Sequence, residues 1–285
     1  MNKTKGAFLI ARNNAQIDYV KQAVFLAKRI RKYLDIPTTI LTDSVDYLKS
    51  TYDETVFDRI IPLEYNPQKN ERVYYDGAMY QKQATFNNRS RCQVYDLTPY
   101  NETLLLDTDY IISNRLLKNC FNLKDDFLIY KDSTDLAQVR DEQEFKYISD
   151  TSVPFYWATC VFFRKTQINE IYFNLLQHIE EEWDHYRRVY QITSGLFRND
   201  FAFSIAIHIM NGFTNGTFAK EMPGKMLYTT DKDVLEFLKD DQMMFLVEKR
   251  NYLGEYNALS TKGQTVHVMN KFSLNRIIDK ELANE

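Results

Sequence analysis

TLLLDTDYII, residues 103–112, runs from an apolar segment straight into two carboxylates. Thr103 to Leu106 is the strongest buried-strand candidate in the chain, and it stops at Asp107. Upstream, GAFLIA at residues 6–11 is a similar run that ends at Arg12-Asn13-Asn14. Ile17, Val20, Val24, Ala27, Ile30 and Leu34 then recur on one helical face, so strand, cap and amphipathic helix follow in order. TTILTD at 38–43 and a run at Arg59 to Leu63 add strands, with a polar stretch of helical potential between them. Strands separated by helices call for a parallel sheet. The expected class is therefore α/β, a Rossmann-like, mostly parallel central sheet flanked by helices, with a C-terminal elaboration. Open parallel sheets bind ligands beyond the carboxyl ends of their strands, which is where Asp107, Thr108 and Asp109 fall.

The remainder is less regular. MYQKQATFNNRSR at 79–91 contains neither Pro nor Gly and reads as helical. FLIYK at 127–131 reads as a strand, and the polar passage from Asp132 to Asp150 as a loop or lid. Val153 to Arg164 is aromatic and β-prone, and a long helical pattern runs from Gln167 to Tyr190. Asn199 or Asp200 can cap a second helix that reaches Met210 and closes at Asn211-Gly212. A helix near Asp231 to Lys239, strands near Met243 to Val247 and Thr265 to Met269, and a terminal amphipathic helix complete the reading. No repeat or low-complexity segment is visible, and one domain over residues 1–285 is the simplest account.

Composition narrows the classes. A 285-residue chain with 26% charged and 44% hydrophobic residues is long enough for a sizeable core and fits neither a disordered nor a membrane protein. Its 36 basic and 39 acidic residues leave a charge of -3, which disfavours whole-surface capture of nucleic acid but permits a local basic groove. Cys92, Cys120 and Cys160 lie far apart, as neither a disulfide framework nor a zinc ribbon would have them. A reducing, cytoplasmic setting is expected. Lys3 and Lys5 precede a short apolar run that Arg12 interrupts, so no export signal is expected. The longest uncharged stretch, Phe201 to Ala219, is broken by His208, Asn211 and Gly212, so no membrane span is expected either.

Asp107 and Asp109 can offer oxygen ligands to a divalent cation. The chain has a second such pair, Asp231 and Asp233, but Asp231 follows Thr229-Thr230 and reads as a helix cap. His267 sits in a strand-like run, Val266 to Met269, with Lys271 just beyond it; imidazole suits Mn- or Zn-like ions, and an ammonium suits phosphate oxygens. In isolation, an edge-strand histidine with a solvated lysine is the simpler account, and the presence of Asp107 and Asp109 shifts the balance towards a ligand.

With these residues in view, the chain resembles the GT-A fold glycosyltransferases, especially the glycogenin-like and galactosyltransferase-like members of glycosyltransferase family 8. The resemblance spans most of the chain, as order of elements more than identity. It implies a nucleotide-binding half at 1–112, and at 113–285 an acceptor half that carries the metal-ligand strand. Asp107, Asp109 and His267 would hold Mn²⁺ or Mg²⁺, which would neutralise the leaving nucleotide diphosphate of a UDP-sugar donor. Ala11, Arg12, Asn13 and Tyr19 match the nucleobase loop; Lys82, Arg89 and Arg91 match a basic helix before the acid pair; Thr108 and Lys271 complete the donor contacts. Asp200 would hydrogen-bond sugar hydroxyls or assist at the reacting face, unless it is a plain helix cap. Trp157 would stack on a sugar, unless it is core.

There are departures. Phe155 to Cys160 stands where the family carries Asn-x-Gly, and Phe201 follows Asn199-Asp200 where Gln is usual. Tyr95 to Tyr100 is similar to glycosyltransferase-like proteins of T-even-type phages, which implies 5-hydroxymethylcytosine in phage DNA as the leading acceptor. Arg187 with Arg188, Arg115 with Lys118, and Lys28 to Lys32 are basic candidates for a DNA groove, or simply solvated helix faces. The alternatives are a saccharide or protein hydroxyl acceptor, and a non-catalytic nucleotide-sugar-binding protein. A nucleotidyltransferase ranks last, because no Gly-rich phosphate loop follows the first strand.

Overall fold

The computed structural model describes residues 5–64, 70–86, 89–138, 145–150, 153–249 and 254–282. Lys3, and residues 139–144 of the passage expected as a lid, lie outside these. The first half comprises β1 (Lys5–Ala11), α1 (Tyr19–Tyr33), β2 (Thr38–Thr42), α2 (Val45–Thr51), β3 (Arg59–Pro62), β4 (Glu71–Tyr75), β5 (Gln81–Thr85), α3 (Val94–Leu97), β6 (Glu102–Leu106) and β7 (Tyr110–Ile111). Next come β8 (Phe127–Tyr130), β9 (Ser133–Asp135), β10 (Trp157–Arg164), α4 (Gln167–Glu181), α5 (Trp183–Val189) and α6 (Asn199–Met210). The chain closes with β11 (Met226–Thr229), β12 (Val234–Lys239), β13 (Gln242–Glu248), β14 (Tyr256–Lys262), β15 (Val266–Val268) and α7 (Lys271–Leu282).

The central sheet has the order β3-β2-β1-β6-β10-β8, with β3, β2, β1 and β6 parallel and β10 antiparallel to both its neighbours. Helices flank it: α1 packs on β1 and β2, α6 on β10, and α4 on α6. This is the mostly parallel α/β architecture that the apolar runs predict. Leu104, Leu105 and Leu106 are at most 1% exposed, and burial of each stabilises the sheet by about 1.5–3 kcal/mol. Asp18 opens α1 by accepting from the Lys21 backbone N–H at 2.9 Å. Gly6 lets β1 pass under Tyr100, because a Cβ there would lie 2.3 Å from the ring. The Tyr100 hydroxyl bonds that of Thr39 at 2.8 Å, tying the β6 approach to β2.

A second sheet, β7-β15-β11-β9, stands beyond the end of β6, and β12, β13 and β14 form an antiparallel meander. Several expectations change here. Residues 79–91 are not a helix: Gly77, at φ +76°, turns the chain so that Gln81–Thr85 pairs antiparallel with Glu71–Tyr75 as a ribbon. Cross-strand pairing and burial of Tyr74 and Ala84 outweigh the local helical preference. Residues 234–239 are strand β12 instead of a helix, because Val234, Leu235 and Leu238 pair with β13. The helical pattern at 167–190 breaks at Glu182 into α4 and α5. The polar passage after β8 contains β9, which pairs in parallel with β11. Among the described residues, all three cysteines are free thiols, and no helix is long and apolar enough to cross a membrane.

Candidate metal and donor site

The site grows out of the end of β6. The Asp107 N–H donates to the Thr159 carbonyl at 2.8 Å, which carries the acid pair past the sheet edge alongside β10. Tyr110 then enters β7 and pairs with His267 on β15, their rings stacked at 4.9 Å. That pairing sets His267 Nε2 3.0 Å from Asp109 Oδ2, while the Val268 N–H donates to the Asp109 carbonyl at 2.9 Å. Lys271, the first residue of α7, places its ammonium on the same Asp109 oxygen. Asp107 is paired with the guanidinium of Arg91, which also donates to the Ala158 carbonyl.

Asp109 and His267 are 3% and 4% exposed. Burial alone would raise the Asp109 carboxyl, but the His267 and Lys271 charges override it and hold the group well below the usual carboxylate range. Burial pulls Arg91 down to about 10, an effect opposed by Asp200 and Asp109. Asp107, Asp109 and His267 each offer a ligand atom, all within 4.8 Å of one another. His267 Nδ1 is buried and has no hydrogen-bond partner among the described residues. Two ionised oxygens and an imidazole suit a hard to borderline divalent ion, so the donor set fits Mn²⁺ or Mg²⁺.

These groups line a cavity of about 410 Å³. Arg12, Tyr19, Arg89, Thr108, Trp157, Asp200 and Lys271, all singled out in the sequence, lie on its wall. Arg12 pairs with Asp43 at 3.1 Å, Tyr19 bonds Tyr74 at 3.3 Å, and Thr108 donates to Gln22 at 3.3 Å. Burial raises the Tyr19 phenol, helped by Tyr74.

Three expected donor contacts do not reach the cavity wall. Ala11 is buried in β1. Asn13 accepts from the Val20 N–H and donates to Asp18, so its amide organises the start of α1. Lys82 points outward from β5, its ammonium over Tyr80.

Asp200 is not the helix cap; Arg198 holds that position. Instead Asp200 accepts from the Ala158 N–H at 3.0 Å and from Arg198 at 3.2 Å, fastening α6 to β10. Trp157 is both core and wall: 1% exposed, packed on Phe145, Tyr228 and His267, with no partner for its Nε1 among the described residues.

The structure adds wall residues that sequence reasoning missed: Arg72, Tyr74 and Phe86 from the ribbon and its exit, and Asp231. The first three fell in segments with no strand signal. Asp231 had one, since an acid just past the β-prone Leu227-Tyr228-Thr229 repeats the Asp107 context.

No protein-family model and no curated protein matches the chain. Among solved structures it is similar to the glycosyltransferase GlyE of Streptococcus pneumoniae TIGR4, with 12% identity and a TM-score of 0.44 over 78% of this chain and 45% of GlyE. The chain thus spans just under half the length of GlyE. It is also similar to the galactosyltransferase LgtC in complex with donor and acceptor sugar analogs, with 14% identity and a TM-score of 0.44 over 71% of this chain and 70% of LgtC. A third neighbour is 4-diphosphocytidyl-2C-methyl-D-erythritol synthase of Anaerococcus prevotii DSM 20548, with 12% identity and a TM-score of 0.35 over 78% and 87%. At such distances the activity has to be argued from this chain's own residues.

Proposed function

We propose that the chain is a metal-dependent glycosyltransferase that moves a sugar from a nucleotide-diphosphate sugar, with UDP preferred from the resemblance, to a hydroxyl acceptor. The carrying observation is the convergence of Asp107, Asp109, His267 and Lys271 on the wall of one cavity, at the carboxyl end of β6. In this reading residues 1–112 supply the nucleotide side, and residues 113–285 the acceptor side with the metal strand. A divalent ion held by Asp107, Asp109 and His267 would supply Lewis-acid stabilisation of the leaving diphosphate. In the reaction, the bond between the anomeric carbon and the diphosphate oxygen breaks and its electron pair leaves with the diphosphate. The acceptor oxygen bonds the anomeric carbon and its proton passes to water. Lys271 and Arg91 provide positive charge beside the leaving group. Asp200, held by Ala158 and Arg198, lines the same cavity as Trp157, and in this reading both would contact the sugar.

The acceptor in this reading is a hydroxyl of hydroxymethylated DNA, as the resemblance implies, or of a saccharide or protein. Among the basic candidates for a DNA groove, Arg187 and Arg188 both pair with Asp184, Lys118 with Asp35 and Lys32 with Asp240, while Arg29 is buried and Arg115 forms no ion pair among the described residues. Free thiols fit a reducing, cytoplasmic compartment.

A thermal-shift series with nucleotide diphosphates and their sugars, with and without Mn²⁺, tests the donor site. A ligand at about 100 times its Kd stabilises by about 2.7 kcal/mol, a shift of several degrees. No Mn²⁺-dependent shift with any of them would sink the reading. Nucleotide release with saccharide, protein or hydroxymethylated DNA acceptors then separates the classes; a Mn²⁺-dependent shift without release on any of them would favour the non-catalytic binding protein.

A further inference from the structure

The ribbon β4–β5 belongs to no larger sheet, and an isolated hairpin is marginally stable in water. Here it is fastened from three directions. Asn14 donates to the Thr85 carbonyl at 2.9 Å. The Ala78 N–H donates to the Tyr256 hydroxyl of β14 at 2.7 Å. Asp76, at the ribbon's turn, accepts a two-pronged bond from Arg276 of α7 at 2.5 and 2.9 Å, and a third from Asn270 at 3.3 Å. Asn270 immediately precedes Lys271, whose ammonium rests on Asp109, so one turn of chain joins the ribbon to the proposed metal ligands.

What this bracing carries into the cavity is Arg72. Arg72 and Tyr74 are two residues apart on β4 and share a face, and both line the cavity. The Arg72 guanidinium lies over the Tyr74 and Phe86 rings, at 5.6 and 5.5 Å from their centroids. A guanidinium stacked this way keeps its in-plane N–H donors, in the fork geometry that matches paired phosphate oxygens. Of the other wall arginines and lysines, Arg12, Arg91, Arg198 and Lys271 have a carboxylate partner, in Asp43, Asp107, Asp200 and Asp109, while Arg89 forms no ion pair among the described residues and is not stacked between two rings as Arg72 is. Arg72 forms no ion pair among the described residues, and Asp231, though it feels the Arg72 charge, makes none with it.

We infer that Arg72 is an anion-binding residue of the donor site, engaging diphosphate oxygens, and that the braced ribbon holds it in position. The inference rests on the donor reading above and gives the ribbon and α7 a role in that site. It is tested by calorimetric titration of the full chain, in Mn²⁺, with three probes: inorganic pyrophosphate, UDP and uridine. Arg72→Gln should weaken pyrophosphate and UDP by about 10-fold or more, with Arg72→Lys recovering part of the loss and uridine affinity unchanged. The salt dependence of UDP binding should flatten in Arg72→Gln. Asp76→Asn, which loosens the ribbon without altering the cavity wall, should cost a few-fold alone and nothing further once Arg72 is replaced.

Wild-type thermal melts of the Arg72 variants confirm that they fold. UDP and pyrophosphate binding within twofold of wild type in Arg72→Gln would overturn the inference while leaving the donor reading intact. Equal loss of uridine would also overturn it, making Arg72 a scaffold for the pocket. Arg72-dependent pyrophosphate binding by a protein that takes no nucleotide would sustain the inference and remove the donor reading.

Discussion

Two Asp-x-Asp pairs end at the same cavity and meet opposite surroundings. Asp107 leaves β6 against the Arg91 guanidinium, and Asp109 against the Lys271 ammonium and the His267 ring. Asp233 is spent on its own turn, accepting from the Thr230 N–H at 2.8 Å, the Thr230 hydroxyl at 3.2 Å and the Glu248 N–H at 2.9 Å, with no exposure at all. Its companion Asp231 faces the cavity, and burial raises its pKa against the opposing charges of Arg72, Lys271 and Lys232. Spacing alone therefore does not make a cation site. An acid pair is a candidate for one when another element brings a further ligand atom within reach, as β15 does with His267, and a turn when neighbouring elements deliver N–H groups.

The sharpest way to break this contrast is Asp109→Asn, which keeps shape and removes charge. Transfer should fall by about 10³-fold or more, since metal Lewis-acid stabilisation is worth several kcal/mol, and the Mn²⁺-dependent thermal shift should vanish. Sugar-transfer assays that find normal turnover would make the first pair as structural as the second. Asp233→Ala should do the reverse. It strands two backbone N–H groups and should cost about 3 kcal/mol, seen as a drop of about 6 °C in Tm, while donor affinity in the folded fraction stays within twofold. A melt within 1 °C or so of wild type would show that the turn does not depend on it.

The smallest effect separates the pairs by the sign of their pH dependence. Asp231 has its folded pKa raised by burial, so its contribution is fully present below the unfolded pKa of about 3.9 and is lost as pH rises through the folded value. Asp231→Asn should then raise Tm at pH 7 by roughly 2 °C and leave it unchanged below about pH 4. Asp109 has its folded pKa lowered despite burial, by His267 and Lys271, so its contribution is present above the unfolded pKa and is lost as pH falls through the folded one. Asp109→Asn should therefore melt lower than wild type at neutral pH and converge with it in acid. Parallel pH–Tm profiles for the two variants would erase the distinction.

Legibility followed burial. β1 and β6 announced themselves because strands covered on both faces are written as near-continuous apolar runs, and β2, TTILT, through its β-branched residues. Gln81–Thr85 carries one buried side chain, Ala84, so nothing in its composition competed with a helical reading. The same held at 234–239, where the register with β13 outweighs local preference. At the site, Asp107 and Asp109 were legible from their place at a strand end, and His267 and Lys271 through the acid pair and the resemblance, whereas Arg72 lay on a strand that was not read and Asp231 beside an element whose type was misjudged. Asn13 went the other way, a loop amide whose bonds all turn inward to α1.

From the residues alone came the periodicities, and with them a mostly parallel sheet and an acid pair at its carboxyl edge. Those are local properties, set by which side chains within a few turns or strand residues avoid water. Tertiary structure alone decided which distant groups share a volume. His267 and Lys271 reach Asp109 across 158 and 162 residues, and Arg276 reaches Asp76 across 200. Such contacts follow from pairing energies between β7 and β15 and from packing of α7, terms that no local stretch of sequence carries.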